Sequence, residues 1–400
     1  MRILFLTHRL PYAPNRGDRI RAFHMLQAIR QYAEVDLVSL VHDDEEASHV
    51  QSLSARGIRV WPARVSRMRN VARVPGVLLR RGALTHALLN SAAVHPALTR
   101  ITAATRPDVV LAYCSGVAQF ALQPPLSDLP LVIDLVDVDS EKWKALGRTA
   151  RFPRSWVYRR EGKYLARFEQ MACREAATTL VVNEREREQL LTRVNGARIE
   201  VVENGIDLGS FSPAAVPSSE PTCVFCGVMN YAPNEEAVLW LVRFVWAEVR
   251  RRVPAAKLLI VGAHPSNQIR GLASAADGIE VTGTVPDVRT YLHRAAISVA
   301  PLQTARGIQN KVLEAIACGL PCIITPVVEA GLPREALDAC RVADSPTQFA
   351  AEMIDLLGYG PARRRDIAAS ANLRSLTWEH RLVPLRRLLE DAVRATAKQT

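Results

Sequence analysis

One stretch constrains the fold of this chain more than any other. An apolar run, Ile297-Ser298-Val299-Ala300-Pro301, is followed by a loop containing Gly307, a helical pattern from Asn310 to Ala317, and a second apolar run, Cys322-Ile323-Ile324-Thr325. Two short apolar runs joined by a helix read as neighbouring parallel strands with a crossover. Asn310 is expected to cap the helix, and Gly319 with Pro321 to end it. Such a loop aims free backbone N–H groups and the positive end of the helix at one point, which suits a phosphate. Lys311 adds a full charge in the first turn. Glu314, also expected there, can accept hydrogen bonds from paired hydroxyls such as those of a ribose. A solvated lysine and a glutamate that only complements the helix dipole, worth under about 1 kcal/mol, fit the same residues, and local chemistry alone leaves both readings open.

The same pattern opens the chain. Arg2 to Thr7 reads as a buried strand, Pro11 to Asp18 as a loop, the residues from Arg19 as a helix, and Val35 to Val41 as the next strand. There is no G-x-G-x-x-G, so the nicotinamide and flavin fingerprint is absent. Arg59–Trp61, Val109–Ala112, Leu131–Leu135, Thr179–Val182 and the residues 200–202 read as further strands. Residues 211–221, with three prolines and three serines, form a linker. Beyond it the pattern restarts with strands at Thr222–Cys226, Lys257–Gly262 and Ile279–Gly283 and a helix at Glu235–Arg252. A helix from Trp378 to Thr400, interrupted or delayed by Pro384, closes the chain. At 400 residues two cores are the default. The expectation is an α/β chain of two Rossmann-like, doubly wound domains facing each other across a cleft. They span 1–210 and 222–378, with a linker at 211–221 and a C-terminal helix at 379–400 packing back on the first domain.

Composition narrows the setting. Seven cysteines without regular spacing suggest reduced thiols in a cytoplasmic protein. Cys223 and Cys226 have redox or zinc-like spacing, but they sit in a strand pattern with no second pair and read as buried free thiols. The N-terminal apolar run is interrupted by His8 and Arg9, too soon for a signal peptide. No apolar run approaches the roughly 20 residues that cross a bilayer, so the chain is expected to be soluble or peripheral. The net charge of +11 is uneven. Trp61 to Gly82 carries six arginines and no acid among aliphatic residues; Arg148 to Lys163 is a second basic run, containing Phe152, Trp156 and Tyr158. Such mixtures suit an anionic membrane surface or nucleic acid, or are simply solvated faces. No nucleic-acid signature accompanies them, which ranks membrane first and leaves nucleic acid out of the expected partners.

Several short motifs recur in order: Pro11 to Gly17, Val201-Val202-Glu203-Asn204-Gly205-Ile206-Asp207 with Phe211-Ser212-Pro213, Gly227, Val261-Gly262, Val281 to Val285, and Val312 to Pro321. Together they resemble the GT-B glycosyltransferases, and among them the retaining family often numbered four. Asp134 to Trp143 and Met229-Asn230-Tyr231-Ala232-Pro233-Asn234 resemble, more narrowly, a bacterial subfamily that accompanies exosortase-type exopolysaccharide gene clusters. The resemblance implies transfer of a sugar from a nucleoside diphosphate sugar, with retention, without metal or other cofactor, to a lipid-linked or glycan acceptor. It implies that Glu314 binds ribose hydroxyls, that the N–H groups near Gly17 meet the donor phosphate, and that Thr282, Gly283 and Val285 contact the base. Asn230, Gly307, Ile308 and Asn310 complete the donor side.

The departures matter as much. The family's first paired acid falls on Arg306, and its two basic residues early in the second domain fall at Val228 and about Pro233 or Asn234. A departing diphosphate still needs positive charge. Lys311 with Arg306 is the expected source. The family's His-Asp pair falls on Val136 and Asp137, so Asp137 is the candidate for orienting or deprotonating the acceptor hydroxyl. Asp134 and Asp139, His8 and Arg16 are further acceptor-side candidates. Asp137-Val138-Asp139 is also a D-x-D of the kind that binds metal in another glycosyltransferase fold, but the two-domain pattern argues against that use. Turn and cap aspartates before a helix near Ser140 are the plain alternative. Two other classes fit the same fold: a nucleotide-sugar epimerase, and a non-catalytic sugar-nucleotide or glycan-binding module.

Overall fold

A computed structural model describes residues 1–12, 17–79, 82–305 and 308–397. The chain divides into two compact units, Met1–Asn204 with Arg381–Thr400, and Gly205–His380.

The first unit holds a seven-stranded sheet. Its strands are β1 (Arg2–Thr7), β2 (Glu34–Val41), β3 (Arg59–Arg64), β4 (Val109–Tyr113), β5 (Leu131–Val136), β6 (Thr178–Val181) and β7 (Ile199–Val201), in the order β3-β2-β1-β4-β5-β6-β7. The second unit holds β8 (Thr222–Cys226), β9 (Lys257–Val261), β10 (Ile279–Gly283), β11 (Ile297–Ala300), β12 (Cys322–Ile324) and β13 (Cys340–Val342), in the order β10-β9-β8-β11-β12-β13. Every pairing between these strands is parallel, as crossover connections require. Central strands covered on both faces read as continuous apolar runs: Ile3, Leu4 and Phe5 in β1 and Val224 and Phe225 in β8 are wholly buried. In both sheets the winding reverses beside the first strand, between β1 and β4 and between β8 and β11. The carboxyl ends of the strands at such reversals are where open α/β sheets bind ligands.

Several boundaries differ from the sequence expectation. Residues 205–210, expected with the first domain, group with the second unit. The 211–221 linker lacks regular structure but is fastened to the second unit: Arg364 donates to Ser218 O at 2.7 Å, and Arg365 to Ala214 O. The closing helix is two pieces, Trp378–Arg381 and Val383–Ala397. Pro384 sits second in the latter, where a missing N–H costs nothing. Strand β13 escaped notice because it is three residues long and none of them is fully buried. Cys223 and Cys226 are free thiols. Three positions apart on one strand, they point to opposite faces. Among the described residues, no helix is long and apolar enough to cross a membrane.

Candidate active site

In the second unit, β8 and β9 end in glycines that pass each other with no room for side chains. Gly227 N donates to Val261 O at 3.0 Å, and Met229 N to Ala263 O at 2.8 Å. A Cβ on Gly262, whose φ is 153°, would stand 1.7 Å from Gly227 O. One on Gly227 would lie 2.7 Å from Asn234 Nδ2 and 3.2 Å from Lys311 Nζ. The strand ends are therefore bare backbone, with Asn234 and Lys311 filling the space a side chain would take.

Lys311 is second in the helix Asn310–Ala317, which follows β11. Gln309, not Asn310, is the capping residue, and its side chain makes no cap hydrogen bond. Asn310 is instead exposed at the first helical position, and Glu314 falls in the second turn, not the first. The helix is amphipathic because Val312, Leu313, Ala315 and Ile316 bury against the sheet, which holds Lys311 at the strand ends. Lys311 Nζ donates to Asn234 Oδ1 at 2.5 Å and lies 4.8 Å from the centre of the Phe225 ring. Asn234 is itself buried and donates from Nδ2 to Val228 O at 2.9 Å, so its acceptor oxygen is aimed at the lysine. Burial pushes the Lys311 ammonium down to about 8, against the opposing pull of Cys226 and Glu314. Burial likewise raises Glu314, with Lys311 opposing. Among the described residues Lys311 has no ion pair with a carboxylate. An arriving anion would find a cation already partly stripped of water and held only by a neutral amide.

At the ends of β9 and β10 in the same unit, His264, Pro265, Arg270, Thr282, Gly283 and Thr284 line an open pocket of about 380 Å³. His264 has a φ of 56° and Gly283 a φ of 70°; nothing would meet a Cβ on Gly283 within 4 Å. Of the expected base-contacting residues, Thr282 and Gly283 line this pocket, whereas Val285 packs partly buried against the core. Ile308 is also packed against the core, and Asn230 is exposed in the turn after β8. Arg306 and Gly307 lie outside the described residues, as does Arg16.

The strand ends of the first unit are arranged differently. The helix after β1 begins at Gly17 and runs to Ile29. It carries two buried arginines. Arg21 Nε donates to Asp134 at 2.8 Å, and Arg21 Nη1 reaches Asn204 Oδ1 at 3.1 Å. Arg19 donates at 2.9 Å to Glu46, a wholly buried carboxylate that also accepts from Arg9 and from His42 N. Sequence reasoning missed Glu46; its only signal was a run of acids opening a helix after β2. Asp134, an expected acceptor-side residue, is wholly buried, because β5 continues past it through an irregularity to Val136. Its other oxygen accepts from Val136 N at 3.0 Å. Burial raises its carboxyl, with Arg21 opposing. Asp139 opens the helix Asp139–Thr149 and accepts from Ser115 Oγ at 2.9 Å; burial raises it too. Asp137 alone of the three is exposed. His8 stacks on Tyr113 with ring centres 5.7 Å apart, and its carbonyl accepts from His42 Nε2 at 2.8 Å. Cys114 and Val136, at the ends of β4 and β5, have φ of 78° and 64°. Such strain in residues with a side chain clusters at functional loops.

The two units match known families separately. Residues 22–210 match Glycosyltransferase Family 4, and residues 220–358 match the family described as Glycosyl transferases group 1. The chain carries glycosyltransferase domains in both halves. Its fold is GT-B: it is similar over 99% of its length to all of sucrose-phosphate synthase from Thermosynechococcus elongatus, with a TM-score of 0.67 and 16% identity. The Anabaena protein HepE, solved in complex with UDP, matches the whole chain over 99% of its own length at a TM-score of 0.60 and 12% identity. In sequence, the chain is 28% identical over 223 residues to D-inositol 3-phosphate glycosyltransferase from Mycobacterium sp. strain JLS. That match takes in 50% of the chain, and the chain spans about half the length of these curated relatives, 49%.

Proposed function

We propose that the protein is a retaining glycosyltransferase that moves a sugar from a nucleoside diphosphate sugar, held by the second unit, to a lipid-linked or polysaccharide acceptor. The reaction serves exopolysaccharide or cell-surface glycan synthesis at the cytoplasmic face of a membrane, without a metal or other cofactor. One observation carries the reading: the Lys311 ammonium sits at glycine-bare strand ends, hydrogen-bonded to a neutral amide and, among the described residues, in no ion pair with a carboxylate.

The chemistry follows from that placement. The open pocket at His264, Arg270 and Thr282 takes the base, and Glu314 takes the ribose hydroxyls. As the bond to the anomeric carbon breaks, negative charge grows on the diphosphate. Lys311 and the amino end of its helix meet that charge, in a place where burial strengthens the attraction. Asp137, exposed at the end of β5, orients the acceptor hydroxyl, whose proton passes to the departing phosphate.

The test is release of nucleoside diphosphate from a panel of UDP-, GDP- and ADP-sugars, with crude lipid acceptor and with chelator present. UDP-sugars are the first choice because HepE was solved with UDP. Release that depends on acceptor is expected, and Lys311→Ala should lower it by roughly 100- to 1,000-fold, the usual cost of one preorganised electrostatic contact. Undiminished turnover and donor affinity in Lys311→Ala would overturn the assignment.

A further inference from the structure

Two basic runs far apart in sequence meet in the first unit. The first contributes the short helices Arg67–Ala72 and Val74–Leu79; the second spans the end of the helix Asp139–Thr149 and the start of the helix Arg154–Glu175. Arg160 fastens them together, donating to Gly82 O at 3.0 Å and to Val77 O at 3.2 Å. Glu161, the one acid in either run, is buried and accepts from Leu84 N at 2.7 Å and Thr85 N at 2.8 Å. Its charge is turned inward.

What remains outward is of one sign. Arg67, Arg69 and Arg73 are exposed on the first run, and Arg148, Arg151 and Arg154 on the second, and among the described residues none has an ion pair. Bulky apolar side chains stand among them in the open: Met68 is 87% exposed, Leu79 84%, Phe152 83% and Trp156, one turn before Arg160, 54%.

We propose that this face docks the first unit on a bilayer rich in acidic phospholipid. The arginines meet headgroup phosphates while Phe152, Trp156, Leu79 and Met68 enter the headgroup–acyl boundary. Charge decides between occupants. A second copy of the chain would set arginine against arginine. Nucleic acid would use the arginines but leave Met68 and Leu79 without a role. An acidic membrane satisfies both kinds of side chain at once. The purpose of the docking rests on the lipid-linked acceptor proposed above; the binding itself needs neither donor nor acceptor.

The full chain is sedimented with phosphatidylcholine vesicles and with vesicles containing phosphatidylglycerol, at low and high salt. Sedimentation is expected only with the acidic vesicles, falling with salt. Each arginine is worth roughly fivefold in partitioning. The triple change Arg148→Glu, Arg151→Glu, Arg154→Glu should therefore lower binding by well over about tenfold. Phe152→Ser with Trp156→Ser should remove the part that survives high salt. Because these residues are exposed, circular dichroism and thermal midpoints should match the parent, and diphosphate release with a soluble acceptor should persist. A parent chain that stays in solution with acidic vesicles at low salt overturns the proposal. So do charge-reversed variants that bind like the parent, a chain that shifts RNA while ignoring vesicles, or a dimer abolished by Phe152→Ser with Trp156→Ser in the absence of vesicle binding. Vesicle binding is read without donor or acceptor and diphosphate release with a soluble acceptor is read without vesicles, so the failure of one reading is distinguishable from the failure of the other.

Discussion

The two sheets share a winding order yet treat charge at their strand ends in opposite ways. In the first unit, carboxylates and guanidiniums are sunk together: Asp134 with Arg21, and Glu46 with Arg19 and Arg9. In the second, among the described residues, the corresponding region holds the Lys311 ammonium against an amide oxygen and an aromatic face, with Glu314 attracting it but forming no ion pair. A charge that already has its counter-charge is committed to the fold. A charge held by a dipole retains most of its capacity for a ligand. The first rim is built as scaffold, with Asp137 its outward carboxylate at the end of β5; the second is built to receive an anion.

The comparison breaks most visibly where a committed pair is cut. Arg21→Met leaves Asp134 buried without its cation and should cost about 3–5 kcal/mol, the usual penalty for a widowed buried charge. Arg21→Met combined with Asp134→Asn should recover much of that loss, because no charge then remains inside. Urea unfolding of the three proteins measures both. A single variant as stable as the parent would mean that the rim of the first unit is not scaffold.

How much of this was legible beforehand follows the same division. Strand β8 could be read to the residue because a strand covered on both faces must be apolar throughout; the edge strand β10 could be read as closely because Ile279, Glu280, Val281 and Thr282 alternate before Gly283. Lys311 and Glu314 could be picked out because the loop and helix between β11 and β12 are local features. The contact between Lys311 and Asn234 spans 77 positions, and no pattern along the chain reports it. The nearest hint was that the family's second basic residue falls at about Pro233 or Asn234. Asp134 was misplaced for a similar reason. An irregularity after Asp134 that carries β5 on to Val136, a valine with φ of 64°, leaves no trace in hydrophobic periodicity. The long helix Arg154–Glu175 was hidden because its buried Glu161 and Glu169 read as surface acids.

A second test makes the rim of the second unit resemble that of the first. In the parent, kcat/KM for the donor should fall as pH rises through about 8, because Lys311 loses its proton there and with it the charge that meets the diphosphate. Asn234→Asp places a carboxylate where the amide oxygen stood, 2.5 Å from Nζ. The new pair raises the lysine towards its ordinary range, so the alkaline limb moves to higher pH. Yet the charge is now spent on a partner, and donor affinity should drop roughly tenfold at neutral pH. Both shifts together are the signature of positioning; lower activity with an unmoved alkaline limb would reduce Asn234 to a packing residue.

The smallest effect concerns Glu169, which has a committed position but no cation as its main partner. It accepts from Ser140 N at 2.9 Å and from Ser140 Oγ, holding the first turn of the helix that follows Asp137. Burial raises it to about 7, with the two Ser140 hydrogen bonds opposing and Asp139 adding to the rise. Its folded value thus lies above the ordinary glutamate value of 4.5. Between those two pH values the folded chain holds a proton that the unfolded chain has lost, so stability must fall as pH rises from the lower to the higher and level off above. Glu169→Gln keeps an acceptor for Ser140 N and an amide donor for Ser140 Oγ, and it cannot titrate. The variant should lose that part of the pH slope, and above about 7 it should match or exceed the parent by about 1 kcal/mol. Thermal midpoints across this range decide it. A variant less stable at every pH would show that the ionised carboxylate, and not merely an acceptor, is what the helix needs, and the first rim would then hold a charge whose value lies in the anion itself.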